Sequence, residues 1–155
     1  MSRRNSVQEI DQGWGAIKDQ IAKAKGSSVK VGVLSDAQPH PDDGADMALI
    51  AAANEFGTSD GRIPARPFLR GSFDANQRGL TQTASRLFGL IMEGKLTSRR
   101  ALALMGEEHQ GQVQEYLQAL DTPPNAPRTV AQKGSSNPLV DEGHLLESIR
   151  WEHDR

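Results

Sequence analysis

Residues 27–36 read SSVKVGVLSD, and the alternation inside them decides the fold class. Val29, Val31 and Val33 take every second position, with Lys30 and Gly32 between them. Side chains on a strand point to opposite faces in turn, so this spacing predicts a half-buried strand. A terminal strand is expected after a short helical turn around 142–148, with Ile149 and Trp151 pointing one way.

The rest of the chain carries helical period. Val7, Ile10, Trp14, Ile17 and Ile21 recur at steps of three and four, which predicts an amphipathic helix over 6–25. Ser6 and Glu9 have capping-box spacing, and Gly26 stops the helix. Gly13 and Gly15 weaken it by up to about 1 kcal/mol each. Asp46 is placed to cap a short alanine-rich helix over 47–56, closed by Gly57. A long helix over 70–93 aligns Leu80, Ala84, Leu87, Phe88 and Ile91. After the turn at Gly94 a further helix, capped by Ser98, carries Leu102, Met105, Val113, Tyr116, Leu117 and Leu120. The short link between these two predicts an antiparallel hairpin.

Loops follow from composition. Residues 35–46 hold two prolines, a glycine and four aspartates, and residues 122–138 hold four prolines with no apolar period. Both are expected to be mobile connections. The whole, residues 1–155, is expected to be a single α+β domain: a small, mostly antiparallel sheet flanked by helices, with a central helical hairpin.

Composition bounds the function. Hydrophobic residues are 36 % of the chain, below the roughly 45–50 % of ordinary globular domains. Aromatics are sparse, with two Trp, one Tyr and four Phe. A core this thin is expected where part of the chain is either loop or surface that only a partner finishes. Net charge is −2 and the pI about 6.1, which gives no global attraction to nucleic acid or anionic membrane. Without cysteine the chain has no disulfide, zinc–thiolate or thiol chemistry. The basic opening MSRRNSVQEI lacks a signal peptide's apolar run, and no stretch is apolar enough to span a bilayer, so a cytosolic protein is expected.

Several constellations invite a chemical reading. His40, Asp42, Asp43 and Asp46 offer one imidazole and three carboxylates to a hard cation, as in a small metal-dependent hydrolase or nuclease. They lack the spacing of a calcium loop, and a solvated acidic loop with a helix cap is the plainer account. Glu107, Glu108 and His109 lack the second histidine of a zinc-protease helix, since positions 105 and 113 are Met and Val. Asp141, His144 and Ser148 hold the residue types of a hydrolase triad without a nucleophile elbow. There is no glycine-rich phosphate loop. Arg3, Arg4, Arg62, Arg66, Arg70, Arg99, Arg100, Arg128 and Lys133 permit a DNA-contacting adaptor, although they lie on separate elements. No catalytic residue, metal ligand or cofactor is assigned.

The densest stretch is IPARPFLR, residues 63–70. Pro64 and Pro67 fix their own backbone and push Ile63 and Arg66 towards extended conformations. A preformed arm loses little entropy on docking. Phe68 and Leu69 would serve it as anchors, and Arg66 or Arg70 as donors to a partner carboxylate. The plainer reading is a rigid crossover that seats the next helix with Phe68 in the core, and the two can hold together.

AAANEFGT (51–58), IPARPFLRGSFD (63–74) and NPLVDEGHLLESIRWE (137–152) occur in an order that resembles the tail-completion and neck proteins of long-tailed bacteriophages and prophages. These are also described as virion morphogenesis or minor tail proteins. The family's D-T-G turn reads Asp141–Glu142–Gly143 here. The resemblance implies a non-enzymatic virion assembly protein at the head–tail junction or tail terminus. It implies a ring, commonly of six copies, set against the connector, tail terminator or tail tube. The expected location is the host cytoplasm during assembly and then the virion, and the expected interface is Ile63, Pro64, Arg66, Pro67, Phe68, Leu69 and Arg70.

Overall fold

A computed structural model describes residues 13–41, 44–123 and 143–154. In chain order the elements are α1 (Trp14–Ala24), β1 (Ser28–Val33), α2 (Met47–Phe56), α3 (Phe68–Met92), α4 (Ser98–Ala119), α5 (His144–Ser148) and β2 (Ile149–Asp154). This is the expected α+β arrangement with a small sheet.

β1 and β2 pair antiparallel, with Val31 opposite Trp151 and Val33 opposite Ile149. Opposed residues share a face, so the valines, Ile149 and Trp151 line one side of the sheet. That side meets α4, which touches both strands, α3, α1 and α5. α4 can lie close where the buried Gly106 puts no side chain between the helix and the sheet. A Cβ at Gly106 would stand 2.7 Å from the Trp151 ring. Of the stripe expected on α4, Val113 and Leu117 are buried in the core, while Leu102 and Met105 are only half-buried.

α3 and α4 form the expected hairpin around Gly94, whose φ of 68° suits glycine. Leu80 and Leu87 are buried, whereas Phe88 on the same predicted face is exposed. The cap of α4 is Thr97 rather than Ser98. Thr97 Oγ1 accepts from the Arg100 amide, and Ser98 is the first helical residue. The core gathers Met47 and Ala51 of α2, Phe68 of α3, Val113 and Leu117 of α4, Leu145 of α5 and Ile149 of β2.

The first helix departs most from expectation. Residues 6–12, with the capping box, Val7 and Ile10, lie outside the described residues. In the remainder Trp14 is 57 % and Ile21 45 % exposed, and no α1 residue is buried. α1 touches α3 and α4, and none of its residues belongs to the core cluster. Its polar tie is Gln20, whose Oε1 accepts from the Ser98 amide at 3.2 Å.

The described part of loop 35–46 makes contacts of its own. Asp36 pairs with Arg150. The His40 amide donates to Ala45 O and the Gly44 amide to His40 O, both at 2.8 Å. The other predicted mobile loop, 122–138, lies outside the described residues from 124 onward.

Candidate functional site

The two motif blocks, 51–58 and 63–74, fold onto each other where α2 ends and α3 begins. α2 starts as expected, with the Asp46 carboxylate accepting from the Ala48 amide at 2.9 Å. It stops at Gly57, where φ is 74° and an added Cβ would stand 2.9 Å from Ala65 N. Only a residue without Cβ lets the crossover return this close.

The turn that follows is held by its own polar side chains. Thr58 Oγ1 donates to Asp60 Oδ1 and accepts from the Ile63 amide, and Asp60 also accepts from the Arg62 amide. These donors, the Thr58 hydroxyl foremost, hold the Asp60 carboxyl below its ordinary range. The Arg66 amide then donates to Asn54 O at 2.6 Å, which lays the proline arm against the end of α2.

α3 has Pro67 at its cap position, with no side-chain acceptor of its own. The acceptor comes from α2. Glu55, 3 % exposed, takes the amides of Leu69 at 2.9 Å and Arg70 at 3.2 Å. It also takes Arg70 Nε at 2.9 Å, while an Arg70 terminal nitrogen donates to Glu55 O. A carboxylate at a helix start is favoured by the orphan amides and the positive end of the helix dipole.

The predicted interface residues therefore divide. Phe68 is fully buried in the core, so it is no partner anchor, and residues 68–70 are the first turn of α3 rather than the end of a free arm. Arg66 is 4 % exposed and donates through Nε to Pro123 O at 2.9 Å. Burial pushes its guanidinium below the ordinary arginine value. Arg70 has found its carboxylate within the chain. Pro64 is exposed, while Ile63, Pro67 and Leu69 are half-buried. The segment is a crossover that seats α3 with Phe68 in the core, as the plainer reading expects.

What points outward is a face that sequence reasoning missed. Leu49, Ala52 and Phe56 are exposed at positions i, i+3 and i+7 of α2, with Leu49 and Phe56 each 68 % exposed. The opposite face of the helix buries Met47, Ala51 and Glu55. Arg70 lies over the outer ring of Phe56, 5.1 Å from its centroid. The signal was present in MALIAAANEF, which is apolar nearly all round, although only one side of a surface helix can face its own core.

The other constellations resolve into ordinary contacts. Asp46 is a helix cap, and His40 sets its ring edge-on to His144 at 5.5 Å between centroids. Asp42 and Asp43 lie outside the described residues, and among those described no three His, Asp or Glu side chains gather as a metal set. Glu107 pairs with Arg100 at 3.0 Å, Glu108 accepts from Thr83 and Gln112, and His109 packs edge-on against Phe73. Ser148 Oγ donates to Leu145 O at 2.7 Å, and Asp141 is outside the described residues. Arg62 pairs with Asp60. Arg99 is exposed, and Arg3, Arg4, Arg128 and Lys133 are not among the described residues. No described helix is long and apolar enough to cross a membrane.

Comparison with protein-family models, with curated proteins and with solved structures gives no match to this chain.

Proposed function

We propose that this protein is a structural subunit of a bacteriophage or prophage particle, acting at the head–tail junction or the tail terminus as part of a ring of its own copies. The observation that carries the assembly reading is the outer face of α2, where Leu49, Ala52 and Phe56 form an apolar stripe with no covering element among the described residues. Aliphatic and aromatic groups presented in a row on a rigid helix make an interaction surface, and exposed aromatics beside arginine dominate such surfaces energetically.

The stripe is braced from below. Glu55 ties α2 to α3 and Gly57 lets the crossover close behind it, so Phe56 and Arg70 are presented as one unit. The motif order in 51–58, 63–74 and 137–152 supplies the virion part of the reading. In it the motif residues build the platform, and the α2 stripe, with Arg70 and the exposed Pro64, meets the neighbouring subunit or the connector, tail terminator or tail tube. The subunit would pass from host cytoplasm to virion on assembly.

The test is recovery of partners by tagged protein from cells making the rest of the particle, read by mass spectrometry. Connector or tail proteins are expected with the wild type and absent with Leu49→Asp/Phe56→Asp, whose exposed positions leave folding intact. Failure of the wild type to recover any virion protein would refute the assignment.

A further inference from the structure

A second surface feature lies apart from the motif residues. The end of α1, the start of α4 and the end of β2 enclose an open cleft of about 600 Å³. Its lining includes Gln20 and Lys23 of α1, Arg99 and Leu102 of α4, and His153 and Asp154 of β2. Lys23 and Arg99 make no ion pair among the described residues, a state they share with Lys18, Lys25, Arg78 and Arg86. The one acid in the lining, Asp154, is held by Lys30 Nζ at 3.0 Å and by the Ser28 hydroxyl at 3.4 Å. The cleft thus collects two cations and an imidazole without an acid of their own.

We propose that this cleft binds a small organic phosphomonoester. Arg99 offers a planar fork that matches two phosphate oxygens, and Lys23 offers a mobile point charge. The start of α4 lies at the same wall, but its Ser98 and Arg100 amides are already taken by Gln20 Oε1 and Thr97 Oγ1, so the side chains rather than the helix end would hold the phosphate. Leu102 supplies apolar surface for the organic part, and the volume falls within the range of small-molecule sites, about 300–1,000 Å³. His153, with its ring edge-on to Trp151 at 5.2 Å between centroids, is also in the lining and adds a third donor. The inference does not depend on the assembly reading.

Titration of the full chain with adenosine monophosphate, followed by amide NMR at constant ionic strength, tests it. Saturable shifts at Lys23, Ser98 and Arg99 are expected, with a dissociation constant of about 1 mM or tighter. Lys23→Gln/Arg99→Gln removes two charge-assisted contacts and is expected to weaken binding at least about tenfold. Both side chains are exposed, so the variant keeps its fold. Inorganic phosphate should shift the same amides more weakly. The proposal is overturned if those amides do not respond, if sodium chloride alone moves them equally, or if the double variant binds as the wild type does. It is also overturned if a short DNA duplex displaces the nucleotide and binds the cleft tighter with a steep salt dependence, because the surface would then be a nucleic-acid contact.

Discussion

Replacing Glu55 by alanine tests whether the crossover is held as described. The carboxylate accepts two amides at the start of α3 and one guanidinium nitrogen, while Arg70 itself is 61 % exposed. Losing a helix-capping acceptor costs about 0.5–2 kcal/mol. Stranding an amide that water cannot fully reach adds about 1–3 kcal/mol. The ion pair, half in solvent, contributes no more than about 1 kcal/mol. Glu55→Ala is therefore expected to destabilise the chain by about 2–4 kcal/mol. Glu55→Gln keeps one acceptor oxygen and should lose about half of that. Urea unfolding followed by far-ultraviolet circular dichroism reads both numbers, and Arg70→Ala completes a double-mutant cycle. A Glu55→Ala loss below about 1 kcal/mol, or a coupling to Arg70 that accounts for the entire loss, would refute the capping role.

Further outcomes follow from the same geometry. Gly106→Ala drives a methyl into the Trp151 ring and should cost about 1–3 kcal/mol by thermal unfolding. Phe56→Ser, at an exposed ring, should change monomer stability by no more than about 0.5 kcal/mol while weakening particle association. Phe68→Ala, in contrast, should cost about 3–5 kcal/mol, because that ring is core. The Asp60 carboxyl is held below its ordinary range by Thr58 and the Arg62 amide. Its contribution to the 58–63 turn is present above the unfolded aspartate value and is lost as pH falls through the lower folded value. Carbon-detected NMR titration should place the Asp60 midpoint below that of a model peptide, and Thr58→Val should return it towards normal.

Much of the fold was legible because local rules agreed with the tertiary outcome. The valine alternation in 29–33, the Asp46 cap, Gly57 and the hairpin turn at Gly94 each express a short-range constraint that no distant contact overrides. The outcome differed wherever a distant partner decided. Thr97 and Ser98 are both competent caps, and Gln20 from α1 takes the Ser98 amide. Periodicity put Leu102 and Met105 towards the core, but both stay half-buried in the turns of α4 beside Gly106, where Trp151 takes the space. At the candidate site, the prolines and Phe68 read as a docking arm. Glu55 lies a whole element away, and pattern cannot announce that it caps α3. Helical period marks which residues share a face, not whether that face will be covered, and so Trp14 and Leu49 looked no different from Met47.

The pairing of β1 with β2 has a consequence for how the chain is made. Ser28 and Asp154 meet across a sequence separation of 126 residues, and every rung of the sheet is comparably remote. While a ribosome is still producing α3 and α4, β1 has emerged with its valines and has no strand to join. The α3–α4 hairpin, built from near neighbours, can form in that interval, whereas the sheet must wait for residues 149–154 to be released. Synthesis arrested shortly before Ile149 should leave a helical but open intermediate, protease-sensitive around β1, that closes once the last strand arrives.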